Sequence, residues 1–302
     1  MTPQTTGTLQ IIAGAFCWGS LGLLGATLNR AGFGGNEVAA LRIVIAACIL
    51  SAVLPLFWRD LKQLHIRKLP GLALQSLLGM LGMSLCYFAA IAHIGSSLAV
   101  ALLYTAPVWS LIFARVLLDE GITPKSALLT VIAAAGVGLT MAGGGTANPA
   151  GILFGLGSGI CYALYGVLGK RAMQGNPPML VFFTSITFSA LVLLLMPHTH
   201  SAFAKLPQQN AVAWISALAL ACVGTIAAYG LFVKGLQKMP AAKASIFTVF
   251  EPLTAVVLAA LFLNEQLNGW QYLGITLILG TAVLNAVRFS HKFPKPFKRP
   301  LC

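Results

Sequence analysis

Apolar stretches of about twenty residues, each long enough to cross a ~30 Å hydrocarbon layer as a helix, follow one another along almost the whole chain. Ten spans can be drawn, near 9–28, 36–57, 69–93, 96–118, 124–143, 151–171, 178–197, 211–234, 241–263 and 268–287. Helix breakers mark the joints, among them "NRAGFGG", "GGGTANPAG", "GNPP", "MPHTH" and "KMPAA". Backbone polar groups at membrane depth must be satisfied internally, which makes the spans helices. No polar insertion is long enough for a separate soluble domain. With 58% hydrophobic and 8% charged residues, against about 25% charged in a soluble domain, the composition exceeds what a water-soluble core can absorb. The expected class is an all-α integral membrane protein with ten transmembrane helices.

The opening "MTPQTTGTLQ" lacks a basic region ahead of the first span, so that span is expected to be permanent rather than a cleaved leader. Cysteines 17, 48, 86, 161, 222 and 302 are scattered singly, which supports neither a disulfide framework nor a metal site. No cofactor is expected. Orientation follows from lysine and arginine: with the N-terminus inside, sixteen of the nineteen fall in cytoplasmic segments. Both termini are therefore expected to be cytoplasmic. The net charge of +13 needs no nucleic acid to explain it, and the basic tail over 289–302 is expected to rest near anionic lipid headgroups.

One phrase is written twice. "GTLQIIAGAFCWGSLGLLG" at 7–25 lies over "GILFGLGSGICYALYGVLG" at 151–169 with an offset of 144, matching Gly7, Cys17, Gly22 and Gly25 to Gly151, Cys161, Gly166 and Gly169. An offset of 145 places Pro107 on Pro252 and Glu120 on Glu265. Internal duplication accounts for both. Each copy holds five spans, and an odd number turns the second copy upside down. The expected units are 1–145 and 146–288, two inverted five-helix repeats with a binding site at the midplane between them.

At these residues the chain resembles the EamA family of the drug/metabolite transporter superfamily, which includes bacterial amino-acid and metabolite exporters. The resemblance rests on Trp18–Gly19, Arg42, Pro107–Val108, "EPLTAVVLAALFLNEQL" from Glu251 and "GWQYLGITLILGTAVL" from Gly269, and covers nearly all of 7–287. It implies a ten-helix transporter of small organic solutes in the inner membrane. The first copy departs from the pattern: Ala106, not an acid, precedes its proline, so no acid-based role carries over to the fourth span.

Glu251 is the only acid away from a span end. A carboxylate at membrane depth faces a cavity or a partner, and suits reversible protonation or capture of a cation. The competing reading is a structural hydrogen bond around Pro252. Arg42 offers a planar fork for a carboxylate, or else snorkels outward to pair with Glu37. His93 is a boundary residue with a possible proton role. Small-residue faces surround Trp18 in the first span (Gly14, Gly22, Gly25) and Tyr162 in the sixth (Gly155, Gly159, Gly166, Gly169), marking either a gate or ordinary helix packing. Gln75, Gly79, Gly82 and Cys86 form a slender polar face beside Tyr87, and Tyr104, Thr105, Tyr229 and Thr248 add hydroxyls. Trp18, Gln75, Tyr87, Tyr104, Tyr162, Tyr229, Thr248 and Glu251 are thus candidates for substrate contact, and Glu251, Arg42 and His93 for proton or charge coupling. Such a cavity suits an amino acid or amphipathic metabolite.

The leading reading is a secondary transporter, by resemblance an exporter. No GxxxxGK[ST] loop supports a pump driven by ATP within this chain. A membrane-embedded enzyme is the alternative, though GxSxG, HExxH and a second buried acid are all missing; a scaffold or receptor is the other. The fifth and tenth spans carry few polar side chains and read as outer support or a homodimer face. A phosphatase active only outside the cytoplasm, fused after residue 145, is expected to be active, and the same fusion after residue 287 inactive; the reverse pattern would invert the assigned orientation.

Overall fold

The computed structural model describes residues 3–58, 62, 64–140, 148–263 and 269–287. The 289–302 tail, the boundary at 145–146 and Glu265 lie outside the described residues. The described part is helical throughout, without strands. Five helices are long and apolar enough to span a membrane: Pro3–Arg30, Gly35–Ala52, Leu69–Ile94, Pro149–Ala172 and Ala211–Leu236. A sixth candidate, Pro178–Leu193 with Pro197–Gln208, bends by 91° at the break introduced by Pro197. Shorter apolar helices include Ala106–Leu118 and Pro124–Leu139.

Local chemistry sets the helix ends. The Asn148 side chain accepts the N–H groups of Ala150 (2.9 Å) and Gly151 (3.3 Å), and Asn210 that of Ala213 (3.0 Å), satisfying donors a helix start leaves free. Asp119, at φ 55°, closes the Ala106–Leu118 helix in the left-handed conformation.

Several spans read as continuous from the sequence are interrupted in mid-course. The first breaks at Ser20, between Pro3–Gly19 and Leu21–Arg30, at a Gly-Ser pair. The fourth breaks at Tyr104–Thr105 and the ninth at Thr248–Val249. Prolines explain the last two: Pro107 and Pro252 cannot donate, and their rings crowd the carbonyls four residues back, on Leu103 and Thr248. The third and eighth spans contain π-helical segments, Gln75–Leu81 and Cys222–Ala227.

Helix Gly82–Leu103 does not run straight. Gly79, Gly82, Cys86 and Ile94 lie successively against Tyr165, Cys161, Gly157 and Gly151, whereas Leu102 and Thr105 return to Gly155 and Gly159. The chain therefore doubles back between Ile94 and Leu102, where the sequence separates the third and fourth spans.

Glycine lets these segments meet. A Cβ on Gly79 would stand 2.7 Å from Tyr165 Cα, and a Cβ on Gly224 would stand 2.1 Å from the tip of Leu21. The two contacts are equivalent: Gly224 follows Gly79 by 145 positions, and Tyr165 follows Leu21 by 144. A central core gathers Trp18, Tyr104, Tyr162, Tyr165, Tyr229 and Phe232. Helices Pro124–Thr140 and Gly269–Val287 pack along each other, with Lys125 Nζ donating to Leu284 O at 3.0 Å.

Gly79→Ala forces the Tyr165 backbone away and should destabilise the protein by about 1–3 kcal/mol. Gly25, with nothing within 4 Å of an added Cβ, should accept alanine at no cost. Thermal unfolding in one detergent checks the pair: a melting temperature lowered for Gly79→Ala only.

Candidate functional site

The breaks in the fourth and ninth spans bring Tyr104, Thr248 and Glu251 to one level. The Tyr162 hydroxyl donates to Glu251 Oε2 at 3.3 Å, and the Tyr104 hydroxyl donates to the same carboxylate. Glu251 thus hangs between hydroxyls from the fourth and sixth spans. Thr248 is within hydrogen-bonding reach of Tyr162. Tyr87 adds a further hydroxyl in the field of both Glu251 and Arg42.

Arg42 is buried at 7% exposure. Its Nη2 donates to Ser84 Oγ at 3.4 Å, and its guanidinium also bonds Tyr229. Arg42 acts on Glu251 through space, yet the two form no ion pair within 4.0 Å among the described residues. Opposite charges held near each other but apart are the central feature of the site.

Rings fill the wall between them. Trp18 meets Tyr229 edge-on at 4.8 Å and 76°, Phe232 at 5.3 Å, and Tyr162 at 6.0 Å and 80°. Tyr165 continues the layer, edge-on to Tyr229 at 5.2 Å. Edge-to-face packing places positive ring edges on negative faces and fixes the cluster. Two donors in this layer, Trp18 Nε1 and Arg42 Nε, are buried and have no acceptor among the described residues. A buried donor without an acceptor costs about 1–3 kcal/mol, so the pair marks a place where an acceptor group would be stabilised.

Two cavities flank the layer. One, narrow and partly open, is lined by Ser110, Tyr162, Phe232, Ala241, Ser245 and Thr248 among others. The second, also narrow, is lined by Asn36, Ser84, Phe88, Met196, His198 and Thr199 among others. Ser84 links this second space to Arg42.

Of the residues expected from sequence, the structure gathers Trp18, Tyr87, Tyr104, Tyr162, Tyr229, Thr248, Glu251 and Arg42. Gln75 goes elsewhere: it is fully buried, and its Oε1 accepts from Ser185 Oγ at 2.6 Å in a knot with Ser76 and Ser189. The Gln75–Cys86 face expected to line a cavity is instead a seam against Pro149–Ala172. His93 is exposed and stacks on Phe154 at 5.9 Å, outside the cluster. Arg42 does not pair with Glu37. Five positions separate them, about 140° around a helix, and Glu37 accepts from Lys205 Nζ at 2.8 Å, Ser201 Oγ at 2.5 Å and Gly34 N at 2.8 Å. Gly22 and Gly25 face open space rather than a partner helix. Sequence reasoning missed Tyr165, Phe232 and Ser84. The repeated phrase contains Tyr165, one helical turn beyond Tyr162, which was the available signal.

At the opposite edge of the first cavity, Glu120 Oε1 and Oε2 accept the N–H groups of Ala241 (3.0 Å) and Ala242 (3.4 Å). Burial pushes its carboxyl above the usual range, and these N–H groups and the Lys170 charge pull it partly back.

A helical bundle whose apolar helices are long enough to cross a membrane defines the class as an integral membrane protein. The EamA-like transporter family profile matches residues 5–142 and 149–287, and the chain belongs to that family. It is 28% identical to the uncharacterized transporter YwfM of Bacillus subtilis, over 94% of this chain and 95% of that one. The threonine/homoserine exporter RhtA of Salmonella typhimurium is 27% identical over 86% of this chain and 85% of its own. A crystal structure covering 94% of this chain and 97% of its own matches at TM-score 0.74 and 17% identity, a likeness of fold.

Removing the Tyr162 or Tyr229 hydroxyl, by substitution with phenylalanine, should cost about 1–3 kcal/mol by leaving a buried charge short of a partner. Trp18→Ala opens the ring cluster and should cost about 3–5 kcal/mol. Thermal unfolding should therefore rank Trp18→Ala lowest of the three variants.

Proposed function

We propose that this protein is a secondary transporter of small organic solutes, an exporter of amino acids or related metabolites across the inner membrane by alternating access. In this reading ten helices form two inverted repeats, over 1–145 and 146–288, with both termini and the 289–302 tail in the cytoplasm. The twofold family match and the equivalent contacts of Gly79 with Tyr165 and Gly224 with Leu21 support the repeat. The name of the threonine/homoserine exporter among the relatives supports the substrate class.

The observation that carries the reading is the separation of Arg42 and Glu251. One comes from each half, they feel each other, and neither neutralises the other directly. A solute bearing an ammonium and a carboxylate fits between them. Its ammonium replaces the Tyr104 and Tyr162 hydroxyls at Glu251, and its carboxylate takes Arg42 Nε and Trp18 Nε1. The rings of Trp18, Tyr162, Tyr229 and Phe232 close around its apolar part. The two cavities are the routes to this layer, each open when the halves rock one way. The solute gains its charge contacts only where water is excluded, so the site discriminates by chemistry rather than size. Protons compete with the solute's ammonium for Glu251, which gives coupling a physical basis. The Pro124–Thr140 and Gly269–Val287 pair sits apart as support facing lipid or a second copy.

In proteoliposomes the purified protein should exchange labelled threonine or homoserine well above protein-free vesicles. Glu251→Gln should both raise KM at least about tenfold and abolish the response of exchange to pH, and Arg42→Gln should raise KM at least about tenfold while leaving the pH response in place. Flux at the protein-free level across amino acids, purine derivatives and polyamines would overturn the reading.

A further inference from the structure

One turn of the molecule is held from both sides by charges that neither the repeat nor the central site requires. Helix Ala228–Leu236 ends and helix Ala241–Phe247 begins on either side of the turn at 237–240. The four carbonyls at a helix end and the four N–H groups at a helix start have no partners within their own helices. Here part of each set is met by side chains from other spans. Lys170 Nζ, at the end of the sixth span, donates three times: to Leu236 O at 2.7 Å, Gln237 O at 3.2 Å and Met239 O at 2.8 Å. Glu120, just past the fourth span, receives Ala241 N and Ala242 N. The signs suit the helix dipoles, a cation at a C-terminus and an anion at an N-terminus. Lys170 and Glu120 also attract each other across the turn.

The position matters. Ala241 lines the narrow cavity beside Tyr162 and Thr248, so the residue that Glu120 grips is part of that cavity's wall. The fourth and ninth spans are both broken next to Glu251, which makes the segments beyond each break separable levers. The arrangement is not shared by the repeat. At an offset of 145 the sequence repeats the acid as Glu265, but at 144 the place of Lys170 is taken by Ala26.

We infer that Glu120 and Lys170 form a latch that closes the route between Glu251 and the end of the molecule carrying the 237–240 turn, and that its release opens this route. The inference rests on the alternating-access reading above. Glu120 and Lys170 are positioning residues: neither reaches the solute. Each acts by fixing the backbone of the turn, and loss of either shifts the population toward the state open at this end. The latch also ties the two halves together, since Glu120 belongs to the first and Lys170 with the turn to the second. Occupancy of the other state falls in proportion, as two faces of one equilibrium.

Accessibility to a membrane-impermeant maleimide tests it without knowledge of the solute. Ser245→Cys reports the latched cavity and Thr199→Cys the other, each against the native cysteines as background. Glu120→Gln or Lys170→Gln should raise labelling at Ser245→Cys by about fivefold or more and lower labelling at Thr199→Cys. Equal labelling, or a rise at both reporters, would overturn the latch. A second arm holds even where those variants are unstable: Glu120→Cys with Ala242→Cys, joined by a short thiol crosslinker, should cut labelling at Ser245→Cys about fivefold, and no cut would also overturn it. Threonine or homoserine exchange by the unaltered protein is measured alongside, so that failure of transport and failure of the latch are read separately.

Discussion

The cost of placing one carboxylate inside an apolar bundle governs much of this structure. Glu251 is the sole acid in the middle of a span, and a charge there is stable only with partners or water. Hydroxyls of Tyr104 and Tyr162 reach it from two helices, and Arg42 stands within its field. To deliver those groups the chain gives up continuous helix in two places, at Tyr104–Thr105 and at Thr248–Val249. Each break sits one turn before a proline, which cannot donate in any case. The prolines account for the breaks, and the breaks bring Tyr104 and Glu251 to one level.

Close packing supplies the rest. Gly79 against Tyr165 and Gly224 against Leu21 let neighbouring helices approach closely. In lipid the hydrophobic effect does not drive helices together, so such close contacts and internal hydrogen bonds must. The polar knot of Gln75, Ser76, Ser185 and Ser189 acts likewise, joining the third span to Pro178–Leu193. Under the proposed alternating access, rigid seams of this kind let each proposed half move as a body while breaks near Glu251 absorb the motion. Glu37, tied to Lys205 and Ser201, braces one end of the molecule, and Glu120 with Lys170 braces the turn at 237–240.

The all-helical membrane class was legible because apolar length and helix breakers are local properties, and the duplicated phrase is what motivates the proposed repeat. The candidate site was partly legible. Glu251 and Arg42 stand out because a charge in an apolar run is rare, and the tyrosines because each carries a hydroxyl into it. Which helix faces which is not local, and there the reading failed. Gln75 with Gly79 and Gly82 has the look of a cavity wall, but small residues serve a seam equally well. The Arg42–Glu37 pairing ignored helical geometry, since five positions apart is nearly the opposite face. Tyr165 and Phe232 look like ordinary core residues in sequence, and only the crossing of their helices brings them to Trp18. The breaks were readable from Pro107 and Pro252, had the carbonyl four residues back been considered.

In the proposed transport cycle the solute's cationic group sits on Glu251. A hydrophobic carbodiimide, which modifies carboxyl groups from within the bilayer, tests it most directly when the modified residue is read by mass spectrometry. With the solute identified by flux, rising solute concentration should progressively protect Glu251, with half-protection near the KM for exchange, while Glu120 is modified at an unchanged rate. Modification of Glu251 that proceeds equally fast at saturating solute would place the solute elsewhere and contradict the account.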